Sequence, residues 1–385
     1  MEHSKQDPLG HGAYKMNAKK PTAYALMGLP VHAVSQSETV EQLWLAVRER
    51  RQLFFTTPNL NFAVACRQDP AFRQSVLSSD LVVADGMPLV WAARLLGIPI
   101  PERVAGSSVF ESICTTPPPD NGPRMRVFFF GGQPGIAQLA HERVNAGSRG
   151  MESVGFLDPG FGSVEEMGAD PIIDTLNAAN ADFLVIALGA AKGQAWIQQN
   201  RRRLNARVIS HLGAVINFSA GSLRRSPLWM QKLGLEWLWR IKEEPQLWRR
   251  YGADGLALMG MLLSELLPLW VFKRSGFLRA SHVQETEIQL KWNKGTAVLS
   301  LAGDCTTSVR HQLDHCIEKV VDSRDPLRVD LGALRLVDEA ALASLMCLIG
   351  ARQMRHLPVA ISGASASVKR QLHWHGASYL LDAAS

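Results

Sequence analysis

Cysteine is scarce in this chain of 385 residues: five, at positions 66, 114, 305, 316 and 347, with no CxxC pair. An odd, scattered set argues against a disulfide framework or a zinc site and fits a reducing cytoplasm. The 11 histidines include no HExxH or other metal-ligand spacing, so no metal or cofactor is expected. There is no serine nucleophile elbow, no GxGxxG fingerprint and no Walker-type phosphate loop. Nothing resembles an RNA-recognition motif or a zinc finger, so nucleic acid is not an expected partner. Residues 1–21 lack the apolar core of a secretory leader and read as a disordered polar tail. No internal repeat is visible, and the low-complexity content is confined to a proline-rich loop at 115–124.

What the chain does have is material for a core. Hydrophobic residues make up 46% and charged residues 20%, an ordinary globular balance, and the length suggests two or three domains. The net charge of +6 points mildly to anionic partners.

Four apolar runs stop abruptly at small or polar residues, and a helical pattern follows. Leu53-Phe54-Phe55 ends at Thr56-Thr57-Pro58-Asn59. Leu81-Val82-Val83-Ala84 ends at Asp85-Gly86. Val127-Phe128-Phe129-Phe130 ends at Gly131-Gly132, and the run 183–188 ends at Gly189-Ala190-Ala191-Lys192-Gly193. Helices are predicted over 88–96, 134–144 and 194–204. Strand-then-helix alternation predicts parallel pairing in a doubly wound or related three-layer α/β fold. Ligands of such sheets bind at the carboxyl ends of the strands, so Asn59, Asp85, Gly131, Gly132 and Gly189 are predicted to share one crevice.

The character changes at Ser219. A segment rich in Trp, Arg and Leu runs to about residue 280, with an apolar stretch at 255–272 between Arg249-Arg250 and Lys273-Arg274. Its length approaches a membrane span, but Glu265 and Pro268 interrupt it. Aromatic rings and cations around an apolar helix suit the membrane interface. A buried helix or an oligomer interface is the other reading. Beyond it, strands at 296–301, 327–331 and 358–361 alternate with helices at 307–321, 339–353 and 365–373, enough for a second small α/β domain. The predicted division is a tail (1–21), an α/β core (22–218), a helical appendage (219–280) and a C-terminal domain (285–385).

Asp85 is the best candidate for chemistry: a carboxylate at a strand's carboxyl end can act as a general base, or simply cap the next helix. Asn59 can place an amide in the same crevice, unless Thr57 is an ordinary N-cap with Pro58 at the first helical position. The glycine pairs allow close approach of a phosphate to a helix N-terminus, and Lys192 can add a contact. Arg103, Arg224, Arg225, Arg240, Arg249 and Arg250 can bind a diphosphate through paired hydrogen bonds.

These residues stand in a recognisable order. Thr57-Pro58-Asn59, Ser79 to Gly86, Trp91 to Gly97, Pro101-Glu102-Arg103-Val104-Ala105-Gly106, Phe130 to Gly135, Leu188-Gly189, Gly221 to Pro227 and Leu235 to Arg240 resemble the WecG/TagA/CpsF glycosyltransferases over roughly residues 22–274. The resemblance implies a parallel-sheet, Rossmann-like core with a membrane-associating helical appendage. It implies inverting, metal-independent transfer from a UDP-sugar (N-acetylmannosamine-type, glucuronic acid or related) to a polyprenyl-diphosphate-linked acceptor. The product would be a cell-surface polysaccharide, made at the inner face of the cytoplasmic membrane on an anionic lipid surface. Asp85 matches the proposed base. Asn59 matches a second catalytic-site residue. Thr57, Arg103, Gly131, Gly132, Gly189, Lys192, Gln194, Arg224, Arg225 and Arg240 fall at substrate-binding positions. Three positions depart: Ser108 and Asn217 replace aspartates, and Ala191-Lys192-Gly193-Gln194 replaces Pro-Lys-Gln-Glu. A catalytically degenerate scaffold is therefore the alternative function.

The last region resembles a STAS domain, through Val329-Asp330-Leu331 and Leu336-Val337-Asp338-Glu339-Ala340-Ala341-Leu342. Where that family often has Asp-Ser-x-Gly, Glu339 and Ala340 follow the Asp. No hydroxyl is present there to be phosphorylated, and Glu339 is a fixed charge at a helix start. This suggests a constitutive protein-interaction module. Whether the chain forms a homo-oligomer is left open.

Overall fold

The phenylalanine-rich runs are strands buried on both faces, which is why their sequences are apolar without alternation. In the computed structural model, which describes residues 21–221, 226–227, 229–230, 234–275 and 286–384, a hairpin opens the chain: β1 (Ala23–Leu26) and β2 (Leu29–His32). A six-stranded sheet follows, made of β3 (Leu53–Thr56), β4 (Leu81–Val82), β5 (Met125–Gly131), β6 (Met151–Leu157), β7 (Phe183–Ala187) and β8 (Val208–His211). Its order is β4-β3-β8-β7-β5-β6, and every pair is parallel. The chain steps from β3 out to β4 and crosses to β5, and β7 and β8 later fill the gap. That reversal makes a crevice at the carboxyl ends.

Successive residues of the central strands feed two cores. Phe55, Phe129, Phe183 and Val185 pack on one face; Phe54, Phe128, Phe130, Leu184 and Ile186 pack on the other with Trp196. The fold class read from the sequence is the one observed, with β6, β8 and the hairpin added. Boundaries moved. Strand β4 stops at Val82, the helix after Gly131-Gly132 starts at Ile136, and the one after Gly189 starts at Ala190. The tail, residues 1–20, lies outside the described residues.

The appendage contributes helix Glu236–Glu243 and one long helix, Leu247–Arg274. Glu265 and Pro268 do not interrupt it. Proline cannot donate to the carbonyl four residues back, and a π turn at Leu262–Leu266 absorbs the misfit. Glu265 is turned inward and ion-paired with Arg67. Met261, Leu266 and Leu269 join a core with Leu89, Val90 and Ala93, so the appendage is continuous with the first domain.

The C-terminal sheet has the order β12-β11-β10-β9, with β9 (Glu287–Asn293), β10 (Thr296–Cys305), β11 (Leu327–Val337) and β12 (Val359–Ser362). Only β9 is antiparallel to its neighbour. Helix Glu339–Met354 is buried along most of its length, because its second face packs on the first domain. Ala23, Ala25 and Leu77 share its core. Two backbone approaches require glycine. Gly28 has φ +85°, and a Cβ there would stand 2.7 Å from the Gly376 carbonyl oxygen; a Cβ at Gly350 would overlap the Leu77 carbonyl.

Gly350→Val should therefore separate the two domains. The expected cost is about 1–3 kcal/mol, the range for inserting methyl groups into a packed interface. Thermal unfolding should show an earlier transition for the C-terminal domain; an unchanged melting profile would contradict the packing described.

Candidate active site

Asp85 sits just beyond β4, held by backbone bonds on both sides. Its N–H donates to the Pro58 carbonyl at 2.9 Å, and Val104 N–H donates to Ala84 at 2.9 Å. These ties put three loops in register. Gly106 opens helix Gly106–Thr115 and donates its N–H to Asp85 Oδ2 at 3.4 Å. A side chain at Gly106 would collide with Leu212 and press on Thr57, and one at Gly86 would stand 3.4 Å from Asn59 Cβ. Thr57, Asn59, Asp85 and Leu212 therefore converge on one spot at the ends of β3, β4 and β8.

Burial pushes the Asp85 carboxyl up to about 6. Arg103 opposes that shift, Glu236 adds to it, and the Gly106 N–H and Arg240 pull it back. Glu236 and Arg240 belong to the appendage and place it over the crevice. Arg103 is ion-paired with Glu236, the first residue of helix Glu236–Glu243, and Arg240 pairs with Glu244 at 3.7 Å one turn on. Gly234 packs against Met87 and Trp91, on the helix that follows Asp85. A carboxyl with that balance is ionised just above pH 6 and can take a proton from a hydroxyl.

The helix cap read at Thr57 falls on Asn59 instead. Asn59 is the N-cap of helix Leu60–Gln68, accepting from Phe62 N–H at 3.2 Å, and it faces the crevice. The cap is thus Asn59, and Thr57 with Pro58 precedes the helix.

The donor side differs more from expectation. Gly131 (φ +90°) is needed for close packing, since a Cβ there would stand 2.7 Å from Leu188 Cδ2 and 2.8 Å from the Ala187 carbonyl oxygen, whereas Gly132 (φ +102°) has room for a Cβ and answers only to its backbone conformation. The Gly132 N–H, expected to be free for a phosphate, donates to Ala187 at 2.9 Å. Gly189 caps helix Ala190–Asn200 with φ +80°, so residues 190–193 are a helical turn instead of a loop. Lys192 bridges to the Gly162 carbonyl at 2.9 Å. Gln194 is a correction: it is buried at 1% exposure, accepts from Ser75 at 3.1 Å between two helices, and does not face a substrate. Arg224 and Arg225 lie outside the described residues.

One residue escaped sequence reading. His211 ends β8, the strand between Asp85's side of the sheet and the glycine turns. Burial pushes its imidazole down to about 4, so it is neutral. Its ring fills the space a side chain at Gly193 would need, which explains that glycine. The only available signal was a lone histidine before Leu212-Gly213.

The site is thus a half-buried carboxylate at the strand ends of a parallel Rossmann-like sheet, covered by a helix that carries Glu236 and Arg240. The match is specific: residues 24–270 fit the model of the glycosyl transferase WecG/TagA/CpsF family, and the chain belongs to that family. Residues 288–382 fit a STAS domain model of the Mlab type. Curated relatives carry one printed name, N-acetylglucosaminyldiphosphoundecaprenol N-acetyl-beta-D-mannosaminyltransferase. The relative from Bacillus spizizenii is 27% identical over 202 residues, 52% of this chain and 76% of its own length. That from Bacillus subtilis is 25% identical over 195 residues, 51% of this chain and 73% of its own. One from Staphylococcus aureus is 20% identical over 230 residues, 59% and 86% of the respective chains.

The Asp85 carboxyl sets a stability prediction. Its folded value near 6 exceeds the ordinary 3.8, so the native state holds this proton more tightly than the unfolded chain. Its contribution is full below pH 3.8 and is lost as pH rises through 6. Asp85→Asn should accordingly melt no lower than the parent at pH 8, and the gap between the two should narrow or reverse near pH 5. A variant markedly less stable at pH 8 would contradict this environment for Asp85.

Proposed function

We propose that the chain transfers a sugar from a UDP-sugar to a polyprenyl-diphosphate-linked saccharide, with Asp85 as the base, on the inner face of the cytoplasmic membrane. The observation that carries this reading is Asp85 itself: a carboxyl raised to about 6 at the strand ends, beneath Arg103 and Arg240. The relatives' printed name supplies the acceptor class and suggests an N-acetylmannosaminyl donor. In the proposed step Asp85 takes the proton of the acceptor hydroxyl. The freed oxygen bonds to the anomeric carbon as its bond to the diphosphate breaks, with inversion. The departing UDP carries the electron pair away, and cationic groups beside the crevice offset its charge. Arg103 and Arg240 are the described candidates for that task.

The long helix supports a surface location. Its inner face, through Asp254, Met261, Glu265 and Leu269, is buried. Its outer face exposes Leu256 (78%), Met259 (54%), Leu263 (62%) and Val271 (55%), a stripe at helical spacing. Trp248, Arg249 and Arg274 lie at its ends, with Arg274 over the Trp270 ring at 4.8 Å. Packing of one side on the protein's own core supports a helix that lies in the interface over one that crosses the membrane.

Purified protein should bind UDP with saturable heat in calorimetry. It should also convert UDP-N-acetylmannosamine and N-acetylglucosaminyl-diphosphoundecaprenol to the disaccharide lipid. Absence of both would favour the degenerate-scaffold alternative, which the buried Gln194 and tethered Lys192 make concrete. For the membrane, Leu256→Glu with Leu263→Glu should reduce flotation with anionic liposomes at least several-fold without lowering the melting temperature. Undiminished flotation would exclude this face as the contact.

A further inference from the structure

The start of helix Glu339–Met354 is where a STAS domain is expected to meet another protein, yet in this chain it is already occupied. Asp338 caps the helix, accepting from Ala341 N–H at 2.9 Å and from the Thr307 hydroxyl at 2.8 Å, so it serves its own domain. Glu339, the next residue, points the other way. It is 7% exposed, and its carboxylate receives Lys273 Nζ at 2.8 Å, with His375 Nε2 at 3.7 Å. Lys273 belongs to the last turn of the long helix, and beside it Phe272 packs on Trp374 with ring centroids 5.3 Å apart.

Lys273 has a second partner. Its Nζ donates to the Leu96 carbonyl at 2.7 Å, at the carboxyl end of helix Met87–Leu96. That helix begins immediately after Asp85-Gly86. One ammonium group therefore joins the STAS helix start, the foot of the long helix and the far end of the helix that emerges from the catalytic loop. Further up, the long helix is tied to the helix that Asn59 caps: Asn61 donates to Asp254 at 3.2 Å, and Arg67 pairs with Glu265. The two helices that start at Asn59 and just after Asp85-Gly86 are both anchored to the element that Glu339 holds.

An isolated charge in this position would be costly. A buried carboxylate persists only when paired, and removing one partner strands the other. A fixed carboxylate at 339 therefore has a local task that a phosphorylatable hydroxyl would meet only when modified.

We propose that Glu339 is a positioning residue of the transferase: through Lys273 it braces the long helix and the Asp85 helix, making the STAS domain an internal part of the active-site scaffold. The partner of this end of the STAS domain is the transferase in the same chain. The catalytic consequence rests on the function proposed above; the mechanical consequence does not.

The test uses the full chain and the variants Glu339→Gln, Lys273→Met and the charge exchange Glu339→Lys/Lys273→Glu. Hydrogen–deuterium exchange reads the brace directly. In either single variant, amides of residues 87–98 should exchange at least tenfold faster than in the parent, while β5 and β7 stay protected. Activity gives the second readout, with UDP-N-acetylmannosamine and the undecaprenyl acceptor as probes. The turnover rate of the single variants should fall at least tenfold with UDP affinity within twofold of the parent, and the charge exchange should recover part of the rate. Faster exchange confined to residues 339–384, with the 87–98 amides unchanged, would overturn the proposal and leave Glu339 as domain glue. Because exchange is measured without substrate, it decides the matter even if the parent fails to bind UDP, a result that would count against the transferase reading alone.

Discussion

The structure depends on keeping a carboxyl group partly dry at the end of a two-residue strand. Asp85 needs burial to raise its affinity for a proton, yet a buried carboxylate is stable only with donors and cations near it. The fold supplies these from three places: the Gly106 N–H, Arg103, and Arg240 of the appendage. None lies on β4 itself. Each must be delivered by a loop or helix held elsewhere, and much of the remaining architecture provides that holding.

The long helix is the element to which the helices starting beside Asn59 and Asp85 are tied. Its inner face is core, its outer face is apolar and open, and its foot is pinned by Glu339. A helix exposing Leu256 and Leu263 has little reason to stay on the protein when a bilayer offers an alternative. The pairs Arg67–Glu265, within the π turn, and Lys273–Glu339, in the last turn of the helix, oppose that detachment. On the membrane location proposed above, the protein must grip this helix more firmly than one that meets only water. A domain fused beyond that helix is a direct way to do it.

Much of the fold was legible because parallel strands buried on both faces spell unbroken apolar runs, as in Phe128-Phe129-Phe130. The strand-end positions of Asp85 and Asn59 were readable because Asp85 follows such a run directly and Asn59 follows after three residues. Strands β6 and β9 were not, since Glu152, Gln289 and Lys291 break their pattern where one face meets solvent. The glycine turns were over-read: Gly131 answers to the neighbouring strand, and Gln194 faces a helix because residue 190 already begins one. The pairs that complete the site had no local signal. Arg103 and Glu236 are 133 residues apart, Lys273 and Glu339 66 apart, and only the folded topology brings them together.

The most direct measurement is the pH dependence of kcat/KM for sugar transfer in the parent and in Asp85→Asn. With Asp85 as base, the parent profile should rise with pH to a plateau through an apparent pKa near 6, and the variant should lose that limb together with about 10²–10⁴-fold of the rate. A variant that retains both the rate and the limb would contradict the account.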